Sequence, residues 1–344
     1  MLFRSLIEEH KQLLNDTSLH VSKNTAGYAL ADVKRKDGSF DLTPLMVGSQ
    51  GTLGVVTDAT LNTLPYSAET SVVTAFVDDL HVADQILNEL RALPESPSAI
   101  EMVDQHLLEF VDRQNPNQLS KIIDKPFTQL VLFIEFDHAN QRIQKKLVKR
   151  ATKILSKAQV KYEVAVDEAD KDRLWQIRHA AASLLAHPEG KARALPIIDD
   201  GIVPADKITL FTSKIYELFE QHKLPVAIWG HAGDANLHVQ PFFDLAQIGD
   251  RQKVFRLIED YYNLVISLGG STSGSFGDGR LRAPYLKKLY GEALYDVFEK
   301  TKHIFDPHGT LNPGVKIDVD LEDIKPLVRQ EYSLDHLAHY LPRT

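Results

Sequence analysis

Apolar positions along this chain change period several times, and each change marks an element. Residues 1–20 favour a helix, with Leu2, Leu6, Leu13 and Leu14 roughly on one face. Residues 43–66 carry short β-prone runs broken by Gly48, Gly51 and Gly54 and closed by Pro65, which predicts a strand, a tight glycine turn and a strand. A regular succession follows: strand Ser71–Val77, helix Asp79–Leu90, strand Ala99–Val103, helix Gln105–Arg113, strand Gln129–Phe136, the long basic helix Ala139–Ala158 and strand Gln159–Val166. Helices and strands in this order predict an α+β fold, a ferredoxin-like antiparallel sheet backed by helices.

The second half predicts a helix at Glu168–His187, a Pro/Gly-flanked segment at Pro188–Pro204 and a helix at Ala205–His222. Pro225–Gly230 and Asn236–Phe242 read as the two strands of a hairpin. A helix at Asp250–Leu268 leads into the glycine-rich Gly269–Arg280, then two short helices and the tail FDPHGTLNPG. The chain after Lys316 reads as peripheral.

Composition narrows the chemistry. With 39 Lys and Arg against 47 Asp and Glu, the net charge of −8 argues against a nucleic-acid surface. There is no cysteine, hence no disulfide, thiolate nucleophile or cysteine-held metal or iron–sulfur centre, and any metal would rest on His, Asp and Glu. The first residues lack the apolar core of a secretory signal, and no window is long and apolar enough to span a membrane. The expectation is a soluble cytoplasmic protein of 344 residues, long enough for two domains.

Four clusters carry candidate chemistry. In Gly230–His238, His231 and His238 stand seven apart across a glycine turn, so a closed hairpin would bring together two imidazoles suited to a divalent ion such as zinc. The bland reading is a strand-capping His231 and a core-packed His238, and two histidines make half of a tetrahedral site. In Gly269–Arg280, five glycines allow close backbone approach, and Asp278 and Arg280 either contact a ligand or pair with each other. Gly48, Ser49, Gly51, Thr52 and Gly54 either offer N–H groups to a phosphate or flavin edge or form a plain turn. Trp175 and Arg178 lie one helical turn apart, where Arg either grips a carboxylate or stacks on the ring.

Taken in order, KNTAGYAL, VGSQGTLGVVTDATLNTLP, LWQIRHA, DDGIVP, GHAGDANLHVQP, GGSTSGSFGDGRLRAPYL and FDPHGTLNPG resemble the FAD-linked oxidase family, the flavoproteins related to vanillyl-alcohol oxidase. Its members include D-lactate, glycolate and D-2-hydroxyglutarate dehydrogenases. The resemblance covers nearly the whole chain and implies a remnant of the FAD-binding domain at 1–66 and the cap-like substrate domain, with its helical tail, at 67–344. It implies an FAD-dependent dehydrogenase acting on the CH–OH group of a small 2-hydroxy acid. Arg178 would grip the substrate carboxylate, His231 and His238 would ligate the metal, Asn236 would line the pocket, and Gly48, Ser49, Gly51, Thr52 and Gly54 would lie along the flavin.

Two departures stand out. The family's glycine-rich pyrophosphate loop precedes the stretch matched here, so the missing half of the flavin site is expected either from a companion chain or to be lost by truncation, and one rim alone is not expected to retain FAD. Where the family has Gly-Glu-His-Gly, this chain has Gly274-Ser275-Phe276-Gly277, losing an anionic ligand and a base. Gln50 stands where Glu is common. The expected function is therefore weakened or partner-dependent oxidoreduction, with a homo-oligomer open. The alternative is a non-catalytic binding or assembly subunit that keeps the fold.

Overall fold

The computed structural model describes residues 2–64, 66, 67, 69–120, 122–181 and 192–328. Its centre is one antiparallel sheet of eight strands: β1 (Ser71–Val77), β2 (Ala99–Asp104), β3 (Leu130–Phe136), β4 (Lys161–Val164), β5 (Arg193–Ala194), β6 (Gly201–Ile202), β7 (Val226–His231) and β8 (Asn236–Phe243). The order is β4-β1-β3-β2-β7-β8-β5, with β6 also on β8. The first four strands have the ferredoxin-like arrangement, and the β7–β8 hairpin extends it through β2, where Met102 faces Gly230 and Val103 faces Trp229.

Helix starts are set by side chains that accept orphan backbone N–H groups. Asp79 caps Leu80–Arg91, Asp104 caps Gln105–Gln114, Asn140 caps Gln141–Lys157 and Asp167 caps Glu168–His179. Strand alternation sorts residues between two cores. On one face, Ile100, Met102, Ile228, Leu237 and Val239 pack with the helices Leu80–Arg91, Gln141–Lys157, Ile208–His222 and Ile248–Ser267. On the other, Phe76, Val103, Phe133, Ala227 and Trp229 pack with Gln105–Gln114 and with Ile177 of Glu168–His179. A third core joins Leu6, Tyr28, Leu30, Leu45 and Leu53 to Leu286, Leu294, Phe298 and Ile317, so the segment 2–53 packs its buried apolar side chains on the late helix Leu286–Phe305.

Three local expectations are corrected. Residues 1–20 form two helices, Leu2–Glu9 and Lys11–Asp16, broken at His10. Residues 43–66 contain the helix Thr43–Met46 and no strand among the described residues; Val55, Val56, Leu61 and Leu64 are exposed and pair with no other strand, and β-propensity without a partner strand does not make a sheet. The segment after Lys316 is not wholly peripheral, because Ile317 and Ile324 are buried. The helix expected to reach His187 is seen to His179, and residues 182–191 lie outside the described residues. The two short helices appear as Leu286–Phe305 kinked at Gly291, whose φ is 79°. No helix among the described residues is long and apolar enough to cross a membrane.

Candidate functional site

The hairpin does bring the two imidazoles together. Trp229 pairs with His238 and His231 with Asn236 across β7 and β8, so His231 and His238 emerge on one sheet face with ring centroids 5.4 Å apart. Gly230, near the end of β7, adopts φ 139° and lets the two strands approach; a Cβ there would sit 2.8 Å from the Asn236 carbonyl oxygen. Arg91 then pins the turn, donating from Nη2 to Ala232 O at 2.7 Å and from Nε to Gly233 O at 3.2 Å.

Each imidazole is oriented by a carboxylate. His231 Nδ1 donates to Glu101 Oε1 at 2.6 Å, and His238 Nδ1 donates to Asp199 Oδ1 at 2.8 Å. In its neutral form, either ring then presents Nε2 as an acceptor. Glu101 projects from β2 between Ile100 and Met102, which face the other core, and its second oxygen accepts from Arg178 Nε at 2.9 Å. Burial alone would raise Glu101, but the hydrogen bond from His231 and the charges of His231 and Arg178 outweigh it and hold the carboxyl below the usual range. The helix Glu168–His179 delivers Arg178 because Trp175 stacks on Phe133, centroids 5.5 Å apart. Arg178, Glu101, His231 and His238 thus form one continuous polar line. Beside it, Glu101 and His231 open onto a cleft of about 390 Å³ that also includes Arg91, Ser98 and Asp234.

The glycine-rich segment closes the other side. Its backbone is held by Asp200, which is fully buried with φ 71°. The carboxylate accepts from Ser275 N at 2.9 Å, Phe276 N at 2.7 Å, Ser273 Oγ at 2.7 Å and Asn236 Nδ2 at 3.2 Å. Asn236 is therefore fully buried behind the imidazoles rather than exposed in the cleft, and a Cβ on Gly274 would lie 2.9 Å from its Nδ2. The Phe276 ring stacks on His238 at 5.7 Å. Asp278 does not pair with Arg280; it is buried against Lys316, Oδ2 to Nζ 2.8 Å, and takes the Gly27 N–H on the same oxygen.

The segment 48–54 meets this loop through Gln50. Its Nε2 donates to Phe276 O at 3.3 Å and its Oε1 accepts from Gly279 N at 2.9 Å. Gly48 and Gly51 both have positive φ, as a tight turn needs. Ser49 is buried and Thr52 turns inward, its hydroxyl on Ser49 O and against the Tyr28 hydroxyl. Gly54 faces open space. What this segment offers on its outer side is backbone and glycine rather than hydroxyl donors.

For a metal, the two Nε2 atoms are suitable donors with carboxylates behind them. A catalytic zinc keeps three protein ligands, however, and no group of three His, Cys, Asp or Glu is so placed among the described residues. Ser275 and Phe276 occupy the adjacent loop. The described residues do not make a complete metal centre.

Sequence reasoning missed Glu101, Arg91 and the separate tasks of Asp199 and Asp200. The signal for Glu101 was a lone charge inside the apolar run AIEMV; nothing in the local sequence marked Arg91.

Comparison with known proteins agrees with this architecture. The chain is 28% identical over 290 residues to the glycolate oxidase subunit GlcD of Bacillus subtilis, covering 84% of this chain and 59% of that protein. It is 28% identical to the D-2-hydroxyglutarate dehydrogenase of Pantoea ananatis, covering 89% of this chain and 31% of that one, and 28% identical to the D-lactate dehydrogenase of Archaeoglobus fulgidus, covering 85% and 59%. The chain therefore spans well under two thirds of these relatives. Among solved structures, 4-ethylphenol oxidase from Gulosibacter chungangensis shares the fold with a TM-score of 0.55 at 10% identity, over 75% of this chain and 55% of that one. Alkyldihydroxyacetonephosphate synthase does so with 0.52 at 15%, over 80% and 49%. Residues 67–315 match the family model described as FAD linked oxidases, C-terminal domain, and the chain belongs to that family.

Proposed function

We propose that this chain is the substrate-side part of an FAD-dependent dehydrogenase acting on the CH–OH group of a small 2-hydroxy acid. The reading rests on one observation: a guanidinium and two imidazoles from three separate elements converge, joined through Glu101 and bordered by the Gln50–Phe276 contact. Arg178, aimed by Glu101, holds the substrate carboxylate. His231 and His238 present Nε2 to the adjacent hydroxyl. Asn236 and Asp200 hold the loop beside the site, and the exposed Phe276 ring lies against His238. FAD, when bound, supplies the two-electron acceptor for the carbinol carbon. Residues 1–66 would serve as the flavin-side rim and 67–344 as the substrate domain, with the remainder of the flavin site contributed by further polypeptide.

The test is anaerobic mixing of the purified chain and FAD with D-lactate, glycolate or D-2-hydroxyglutarate, following flavin absorbance. Bleaching by one of these acids, lost in Arg178→Met, supports the reading; no bound flavin and no bleaching, alone or with a flavin-site partner, removes it.

A second reading has its own support. The Phe276 ring beside His238 cannot accept a proton, and Ser275 cannot serve as an anionic ligand. These two residues favour a non-catalytic subunit that binds the acid or an assembly partner. Calorimetric binding of a 2-hydroxy acid without any flavin reduction would select it.

A further inference from the structure

The helix Gln141–Lys157 is the least expected surface of this acidic protein. It carries Arg142, Lys145, Lys146, Lys149, Arg150, Lys153 and Lys157 and no acidic residue, in a chain of net charge −8. Steps of three, one, three, one, three and four residues place all seven on one side of the helix. At 1.5 Å per residue the stripe is roughly 23 Å long. The opposite side is already used: Leu147, Ala151 and Leu155 are buried in the core under the sheet, with Ile143, Val148 and Ile154 packed beside them.

All seven cations are exposed. Among the described residues only Lys157 has an ion-pair partner, Glu89 at 2.8 Å. Like charges three and four apart on a helix repel one another, so the stripe works against the helix that bears it. It is also placed away from the chemistry. The helix covers the sheet face opposite to the one that carries Glu101, Trp229 and His238, and a partner seated on it would leave the cleft open.

We infer that this stripe docks the protein on an anionic lipid surface. The exposed side has no aromatic residue to stack on bases, and five of its seven cations are lysines, point charges without the planar fork that reads phosphate bidentately. It has no exposed apolar residue to insert, since those on the helix face the core. A straight, mostly unpaired row of lysines and arginines on a helix fits a flat, diffuse layer of negative headgroups, held by electrostatics and released by salt.

The experiment is co-sedimentation of the full chain with vesicles of phosphatidylcholine, with and without phosphatidylserine, in low and high salt. The expected result is binding only to the phosphatidylserine vesicles, at low salt, weakened at least ~10-fold in the triple variant Lys146→Glu, Lys149→Glu, Lys153→Glu. A Lys→Gln triple at the same positions, with an unchanged melting curve, separates loss of charge from loss of fold. Equal sedimentation of parent and Gln variant, or none of the parent on phosphatidylserine vesicles, overturns the proposal. So does a stripe-dependent shift of a DNA duplex in buffer where the vesicles are not bound.

Discussion

Glu101 Oε1 lies 2.6 Å from His231 Nδ1, while the other oxygen of the same carboxylate takes the Arg178 Nε hydrogen at 2.9 Å. One acid from the middle of a strand thereby sets the direction of two cationic or proton-bearing side chains from elements distant in sequence. Glu101→Ala leaves a part-buried guanidinium without its acceptor and frees the imidazole. The expected loss is about 2–3 kcal/mol in urea unfolding. Glu101→Gln, which keeps one acceptor, should lose less than half of that. Equal effects would mean the carboxylate charge does not organise the line.

Asp200 makes a sharper case. Both its oxygens accept N–H donors, Oδ1 from Asn236 and Oδ2 from Phe276, so Asp200→Asn must turn an amide N–H toward another N–H. That change should cost about 2–4 kcal/mol despite being isosteric. Hydrogen exchange provides the local readout: the amides of Ser275 and Phe276 should lose protection in the variant while those of β1 and β3 keep theirs.

Asp104 is wholly buried at the start of Gln105–Gln114, and burial lifts its pKa to about 6 despite hydrogen bonds from Leu107 N–H and the Tyr216 hydroxyl. A carboxyl raised in the folded state contributes stability that is fully present below its unfolded value and is lost as pH rises through about 6. Asp104→Asn removes that titration while retaining a cap acceptor. The variant should match the parent near pH 4 and exceed it by on the order of 1–3 kcal/mol at pH 7, read from urea midpoints at both pH values. A parallel pH dependence in the two proteins would contradict the assignment.

The incomplete donor set at His231 and His238 predicts a gain. Ser275→Glu adds a carboxylate to the loop beside the imidazoles, and the pairing of a third ligand with two oriented Nε2 atoms should raise zinc retention after dialysis toward one ion per chain. The unmodified chain should retain much less. If the parent already holds a full equivalent, lost in His231→Ala, a ligand outside the described residues completes the site.

Much of the fold was legible because strand and helix periods differ. Ser71–Val77, Ala99–Asp104 and Leu130–Phe136 could be read nearly to the residue, since each alternates or runs apolar between clear caps. The hairpin that pairs His231 with His238 was legible from the glycine turn. The failure at 43–66 has the opposite origin: Val55, Val56 and Leu61 have strand propensity, but pairing is a tertiary property and local sequence does not record it. Glu101 and Arg91 were hidden for a similar reason. Their partners lie 130 and about 141 residues away, beyond any window in which a motif can be recognised.

The hold of Asp200 on the 273–276 backbone has a further consequence. Its contacts to Ser275 and Phe276 are made to main-chain N–H groups, so this hold does not depend on either side chain, and the Phe276 stack on His238 is an addition to it. Positions 275 and 276 behave as an interchangeable socket: a carboxylate, an imidazole, a hydroxyl or a phenyl ring can be mounted there while the mounting itself stays fixed. Chemistry at this corner can be gained or lost by point substitution without first dismantling the architecture around it.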